Sequence, residues 1–219
     1  MSDPSEERGF WKWPKSKWLL GIPIGGFVMI GVGAAGLLVM NKVLHATSTS
    51  EFCLSCHTHQ GISVAEFEAA SHSYNNTGVR AECADCHLPD PEEKFFHYVL
   101  AKIIVSKDIF AEMRGVANTD EKYEAHRGEW AKKVWTEYRE NESEYCMHCH
   151  QFDHMTIEAQ PRLAQRRHKR AIENGQTCID CHQGIAHKLP ENWEAIWDEV
   201  EEETASVTPA AGTKVAAGD

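Results

Sequence analysis

Apolar positions are unevenly spread along the chain. From Trp18 to Met40 there are 23 residues without a charge, WLLGIPIGGFVMIGVGAAGLLVM, enough at about 1.5 Å per residue to cross a hydrocarbon core of about 30 Å. The pattern predicts one spanning helix over 18–40. Further on, apolar residues recur at three- and four-residue steps over 94–116 (KFFHYVLAKIIVSKDIFAEMRGV) and 120–140 (DEKYEAHRGEWAKKVWTEYRE), predicting two helices, the second capped by Thr119 or Asp120. A helix is expected over 155–173, and an acidic one over 191–203 with Trp193 and Trp197 on one side. The closing stretch ETASVTPAAGTKVAAGD is low in complexity and is expected to be disordered. Strand-like alternation is rare after position 50, so the expected fold class is mainly α with much irregular structure.

The residues around the apolar stretch decide what it does. A cleaved signal peptide is the competing reading, but the stretch exceeds the usual apolar core of roughly 7–15 residues and no clear A-x-A site follows it. An uncleaved anchor is expected. Arg8, Lys12, Lys15 and Lys17 precede it and Lys42 follows, which puts residues 1–17 in the cytoplasm and the rest of the chain outside. Trp11, Trp13 and Trp18 fit an interfacial aromatic belt. Gly21 and Gly25 form one G-x-x-x-G, a candidate face for a homo-oligomer, although ordinary glycine content in a membrane helix explains it as well.

Cysteine changes the picture most. All eight cysteines fall into C-x-x-C pairs, each followed by histidine: CLSCH (Cys53, Cys56, His57), CADCH (Cys83, Cys86, His87), CMHCH (Cys146, Cys149, His150) and CIDCH (Cys178, Cys181, His182). Two thiols one helical turn apart can add to the two vinyl groups of one haem, and the next imidazole then reaches the iron. Four covalently bound haems c are expected. Zinc ribbons share the C-x-x-C spacing but have no need of a histidine after each second cysteine, and thioredoxin-like pairs do not come in fours. Four large apolar discs would also supply the core that a charged soluble region of this size lacks. The net charge of -11 excludes a nucleic-acid partner, which wants a basic face. It suggests that an electron-transfer partner offers a positive patch.

The soluble region reads as two related dihaem halves, about 50–92 and 144–190, within a haem domain spanning 41–190 and joined by the helices of 94–140, with 191–219 as acidic helix and tail. Cys53 to Cys83 is 30 residues and Cys146 to Cys178 is 32, and His72 and His168 stand 11 and 10 residues before the second motif of each half. These two are the best candidates for distal iron ligands, with His187 next, which saturates three irons and leaves one open. His45, His97, His126, His148 and His154 read as solvated or edge-packed side chains. His59 lies two residues after His57, so either could ligate the first iron. The first motif begins 13 residues beyond the apolar stretch, near lipid, where a quinol could meet the first haem. Oxidising a quinol releases two protons with two electrons, so a polar group must stand beside that haem. Lys102 and Asp108, within AKIIVSKDIF, are candidates, although by themselves they read as well as a solvated helix face.

Several segments together resemble the NapC/NirT family of membrane-anchored tetrahaem quinol dehydrogenases: LHATSTSEFCLSCH, YNNTGVRAECADCHLP, KIIVSKD, the helix with EAHR, and NGQTCIDCHQGIAHKLP. The likeness covers about residues 15–190. It implies an inner-membrane protein with its haem domain in the periplasm. Such a protein takes electrons from menaquinol or ubiquinol and hands them to a soluble reductase such as periplasmic nitrate reductase. By position it implies His72, His168 and His187 as distal ligands of three low-spin haems, and Lys102 and Asp108 as the quinol-site lysine and acid. His59 stands where many members have methionine, and Asp90 where several have histidine, with His97 able to compensate. Two competing functions are an electron-transfer adaptor fed by a separate quinol-oxidising enzyme and a terminal reductase using the open iron.

Overall fold

A computed structural model of the chain describes residues 18–19, 22–56 and 61–205. His57 and His59, and the tail from 206, lie outside the described residues. The chain divides into two compact units, Met1–Ala46 and Thr47–Asp219.

In the first unit, β1 (Trp18–Leu19) pairs antiparallel with β2 (Ile22–Pro23), Trp18 opposite Pro23 and Leu19 opposite Ile22. The helix α1 follows, Ile24–Ala46, 23 residues with none buried. It is the one described helix long and apolar enough to cross a membrane. It starts and ends six residues later than the 18–40 stretch. Pro23 explains the late start, because a proline disfavours helical geometry in the residue before it. At the other end Asn41–Ala46 carries no helix breaker, so the helix runs past Lys42 to His45.

The second unit is helical with long irregular connections: α2 (Ser50–Cys53), α3 (Ile62–Ala69), α4 (Cys83–His87), α5 (Phe95–Met113), α6 (Asp120–Glu140), α7 (Glu144–Met147), α8 (Arg162–Asn174) and α9 (Trp193–Thr204). Thr119 caps α6, its hydroxyl accepting from the Lys122 amide at 3.4 Å. Gly175, at φ +65°, ends α8 in the left-handed conformation that favours glycine.

The buried apolar core among the described residues is small and lies between α6 and α9. Trp135 and Tyr138 of α6 pack with Ile179 and with Ile196, Trp197 and Val200 of α9. The indoles of Trp135 and Trp197 meet edge to face at 6.0 Å. Gly128 permits this approach, since a Cβ there would stand 3.0 Å from Ile196 Cδ1. Lys132 ties the same helices from outside through Glu199 and Glu203. By contrast, α2, α3 and α4 bury no residue at all.

Candidate functional site

The second and fourth motifs begin short helical turns at Cys83 and Cys178, whereas Cys53 ends α2 and Cys146 lies within α7, and neighbouring turns are joined twice through a serine. Ser50, three residues before Cys53, accepts the Cys83 amide at 3.0 Å. Ser143, three residues before Cys146, accepts the Ile179 amide at 3.1 Å. The second and fourth motifs also share a cap. Asp85 Oδ2 accepts from the Glu82 amide at 2.8 Å, and Asp180 Oδ2 accepts from the Thr177 amide at 2.7 Å. Capping boxes of this kind fix the first turn and hence the direction of the thiols.

The thiols form a chain of neighbours. Cys53 hydrogen-bonds Cys83, and Cys146 hydrogen-bonds Cys178. Cys149 is close enough to Cys86 for its charge to raise the Cys86 thiol, although burial is the larger cause. Within each bonded pair one partner donates: Cys83 is pulled down to about 6 and Cys178 to about 7, whereas Cys53 and Cys146 are pushed up.

The histidines are brought together in three pairs from separate segments. The centroids of His72 and His150 lie 6.0 Å apart, those of His87 and His187 6.4 Å, and those of His168 and His182 6.2 Å. Two imidazoles on one metal ion, bonded at about 2.0 Å each, with ring radii of roughly 1.1 Å set by C–N bonds of about 1.33 Å, have centroids about 6.2 Å apart. The interplanar angles of the three pairs are 77°, 44° and 31°. Burial lowers both His72 and His182, and the neighbouring imidazoles add to it. Neutral rings are what an iron needs. His72 Nδ1 is buried without a hydrogen-bond partner among the described residues. The side chains present therefore fit covalently bound haem c.

One of these histidines is held, and a second approached, by residues the sequence did not flag. His168 Nδ1 meets Gln160 Oε1 at 2.6 Å, which leaves the other nitrogen for a metal. His187 Nδ1 lies 3.8 Å from Glu66, whose carboxylate is clamped by the buried Arg127 at 2.8 and 3.0 Å and by the Lys188 amide at 3.0 Å. Arg127 also binds Glu124 and the Lys188 carbonyl. Glu124 and Arg127 bracket the EAHR segment, so the signal was in view, but nothing in the sequence linked it to Glu66.

Lys102, half-buried on α5, donates to the carbonyl and hydroxyl of Thr47, the latter at 3.1 Å, and lies 5.8 Å from the centre of the Tyr98 ring. Tyr98 in turn is hydrogen-bonded to Ser48. Burial lowers Lys102, opposed by the charge of Cys53, so the ammonium stands beside the first motif. Asp108 is exposed and about 9 Å further along the helix axis; the fold does not bring it to Lys102. The face of α5 opposite Tyr98 carries Phe96, Leu100, Ile103, Ile104 and Phe110, all exposed, Phe96 at 85%. His97 is exposed on the first turn of α5. Asp90 pairs with His148 at 3.0 Å, and His126 stacks on Trp130 at 5.3 Å.

Residues 14–192 match the model of the NapC/NirT cytochrome c family, N-terminal region. The chain belongs to that family. The NapC/NirT chain is 48% identical over 163 residues to the cytochrome c-type protein TorY of Haemophilus influenzae, covering 74% of itself and 43% of that protein. It thus spans less than half the length of that relative. It is 37% identical over 191 residues to the cytochrome c-type protein NapC of Escherichia coli, with 86% and 92% covered. Similarity to the denitrification system component NirT of Stutzerimonas stutzeri is 37% over 171 residues, covering 77% and 83%. No solved structure gives a significant match. Membership in a cytochrome c family implies covalently bound haem c.

Proposed function

We propose that this chain is a single-pass inner-membrane quinol dehydrogenase that passes electrons through four haems to a soluble periplasmic reductase. Nitrate reductase is the first candidate, as the resemblance of the motifs to the NapC/NirT family implies. The observation that carries the proposal is the seat of Lys102: its ammonium rests on Thr47, the residue joined to the last residue of α1, and stands beside Cys53 of the first motif.

When bound, the haems supply one-electron acceptors, so two of them take the two electrons of one menaquinol or ubiquinol. Lys102 would hold the quinol hydroxyl and, as the neutral amine, accept a proton from it. A lysine lowered by burial gives up its own proton more readily than a surface lysine, and the opposing charge on Cys53 vanishes once that sulfur is a thioether. Asp108, facing water, would take protons onward. The exposed apolar face of α5 would lie in the lipid interface and admit the quinol.

In this reading His187, His72 and His168 would be distal ligands, paired with His87, His150 and His182. His57 or His59 would serve the first iron, to which no second histidine is assigned. The thiol neighbours favour two dihaem halves in line, first to second to third to fourth motif. With the chain in liposomes and a reduced menaquinol analogue added, haem absorbance should shift to the reduced form. Haems that dithionite reduces but the quinol does not would overturn the reading in favour of an adaptor fed by another enzyme.

A further inference from the structure

The helix α8, RLAQRRHKRAIEN, holds five of the chain's 22 lysines and arginines within nine consecutive positions of a protein with net charge -11. At about 100° per residue, Arg162, Arg166, Arg167, Lys169 and Arg170 share one arc. His168, Ala164 and Ala171 share the opposite one. The five basic residues are all exposed, and the other three are half-buried. Hydrogen bonds prevent the helix from rolling: Gln165 donates to the carbonyls of Glu158 at 2.9 Å and Gln160 at 2.7 Å, and His168 is held by Gln160 at 2.6 Å. Lys169 pairs with Glu158 at 3.3 Å on the surface. Among the described residues, Arg162, Arg166, Arg167 and Arg170 have no ion-pair partner.

We propose that the outer face of α8 is the docking surface for an acidic electron-accepting protein. This rests on the reading that electrons leave near the fourth motif, and it names the chemistry of the acceptor. The basic arc points away from His168 and His182, so the arginines face solvent rather than the groups around that imidazole pair. A partner seated on the arc stands one helix diameter, about 10 Å, from His168. This reverses the expectation of a basic partner drawn from net charge. With screening lengths of about 8–10 Å, the local face governs contact, not distant acidic residues. An anionic bilayer is the other polyanion at hand. A helix lying on lipid needs a continuous outward apolar face, whereas the exposed large apolar residues of α8, Leu163 and Ile172, stand about 180° apart around the helix.

The test starts from the full-length chain in phosphatidylcholine nanodiscs, reduced by dithionite so that no quinol step enters. Oxidised plant plastocyanin, an acidic blue-copper protein, serves as acceptor: each Cu(II) becomes Cu(I) as one haem iron goes from ferrous to ferric. Azurin, a blue-copper protein without an acidic patch, is the control. The plastocyanin rate constant is expected to fall about tenfold between about 10 mM and about 300 mM NaCl. It should fall by a similar factor in Arg166→Glu/Arg167→Glu/Arg170→Glu, with azurin changed less than about threefold. Haem content and reduced spectrum check the variant's fold, and Arg166→Gln/Arg167→Gln/Arg170→Gln should fall between. A plastocyanin rate unchanged in both variants overturns the proposal. So does protection of the α8 arginines from phenylglyoxal in phosphatidylglycerol discs but not in phosphatidylcholine discs, which would assign the face to lipid. Failure of quinol oxidation leaves this result untouched.

Discussion

In the first pair of motifs Ser50 accepts the Cys83 amide, and in the second Ser143 accepts the Ile179 amide, so the two joints correspond. Their surroundings do not. Ser143 and Ile179 are buried beneath the α6–α9 core, whereas α2, α3 and α4 contain no buried residue and the neighbouring α5 turns five large apolar side chains outward. The second joint is buried and the first is not, although the cysteines themselves are no better covered in the second pair, where Cys149 and Cys181 are exposed. The same serine joint therefore occurs in two settings, one beneath the α6–α9 core and one beside the exposed apolar face of α5.

The largest effect expected from this contrast is on stability. Trp197→Ala removes the side chain that Trp135 meets and that Arg139 covers at 5.5 Å, and should cost about 3–5 kcal/mol. Thermal unfolding should show it, with quinol-driven haem reduction retained at low temperature. If the rate fell with the stability, the two regions would not be separable. Lys102→Ala is the converse. It should slow quinol-driven reduction on the order of 10²-fold, about 2.7 kcal/mol of barrier, with little change in melting temperature. An unchanged rate removes Lys102 from the site.

The smallest effect compares the joints themselves. Ser143→Ala leaves a buried amide unsatisfied and should cost about 1–3 kcal/mol, whereas Ser50→Ala, nearer water, should cost about 0.5–1.5 kcal/mol. Equal losses in denaturant titrations would contradict the claim that one joint is buried and the other is not.

The helices were legible because their apolar periodicity is local: α6 falls on 120–140 as the pattern predicts, with Thr119 as its cap. Membership in a cytochrome c family was legible because four C-x-x-C-H motifs leave little else for the cysteines to do. What the sequence hid was contact between distant segments. Glu66 and His187 meet across 121 residues and Lys102 and Thr47 across 55, and no periodicity encodes such meetings. The role of 191–203 was also hidden. Set apart as an acidic tail helix, it proves to be half of the buried core, because Ile196, Trp197 and Val200 share one face among acidic neighbours. Nor does net charge, a sum over the chain, reveal the basic arc of α8.

Electron paramagnetic resonance of the oxidised full-length chain tests the central claim most directly, by counting spin states of the four irons. Three low-spin signals, from the pairs that His72, His168 and His187 complete, and one high-spin signal from the first motif are predicted. Four low-spin irons, with no open face for the quinol site, would contradict the account.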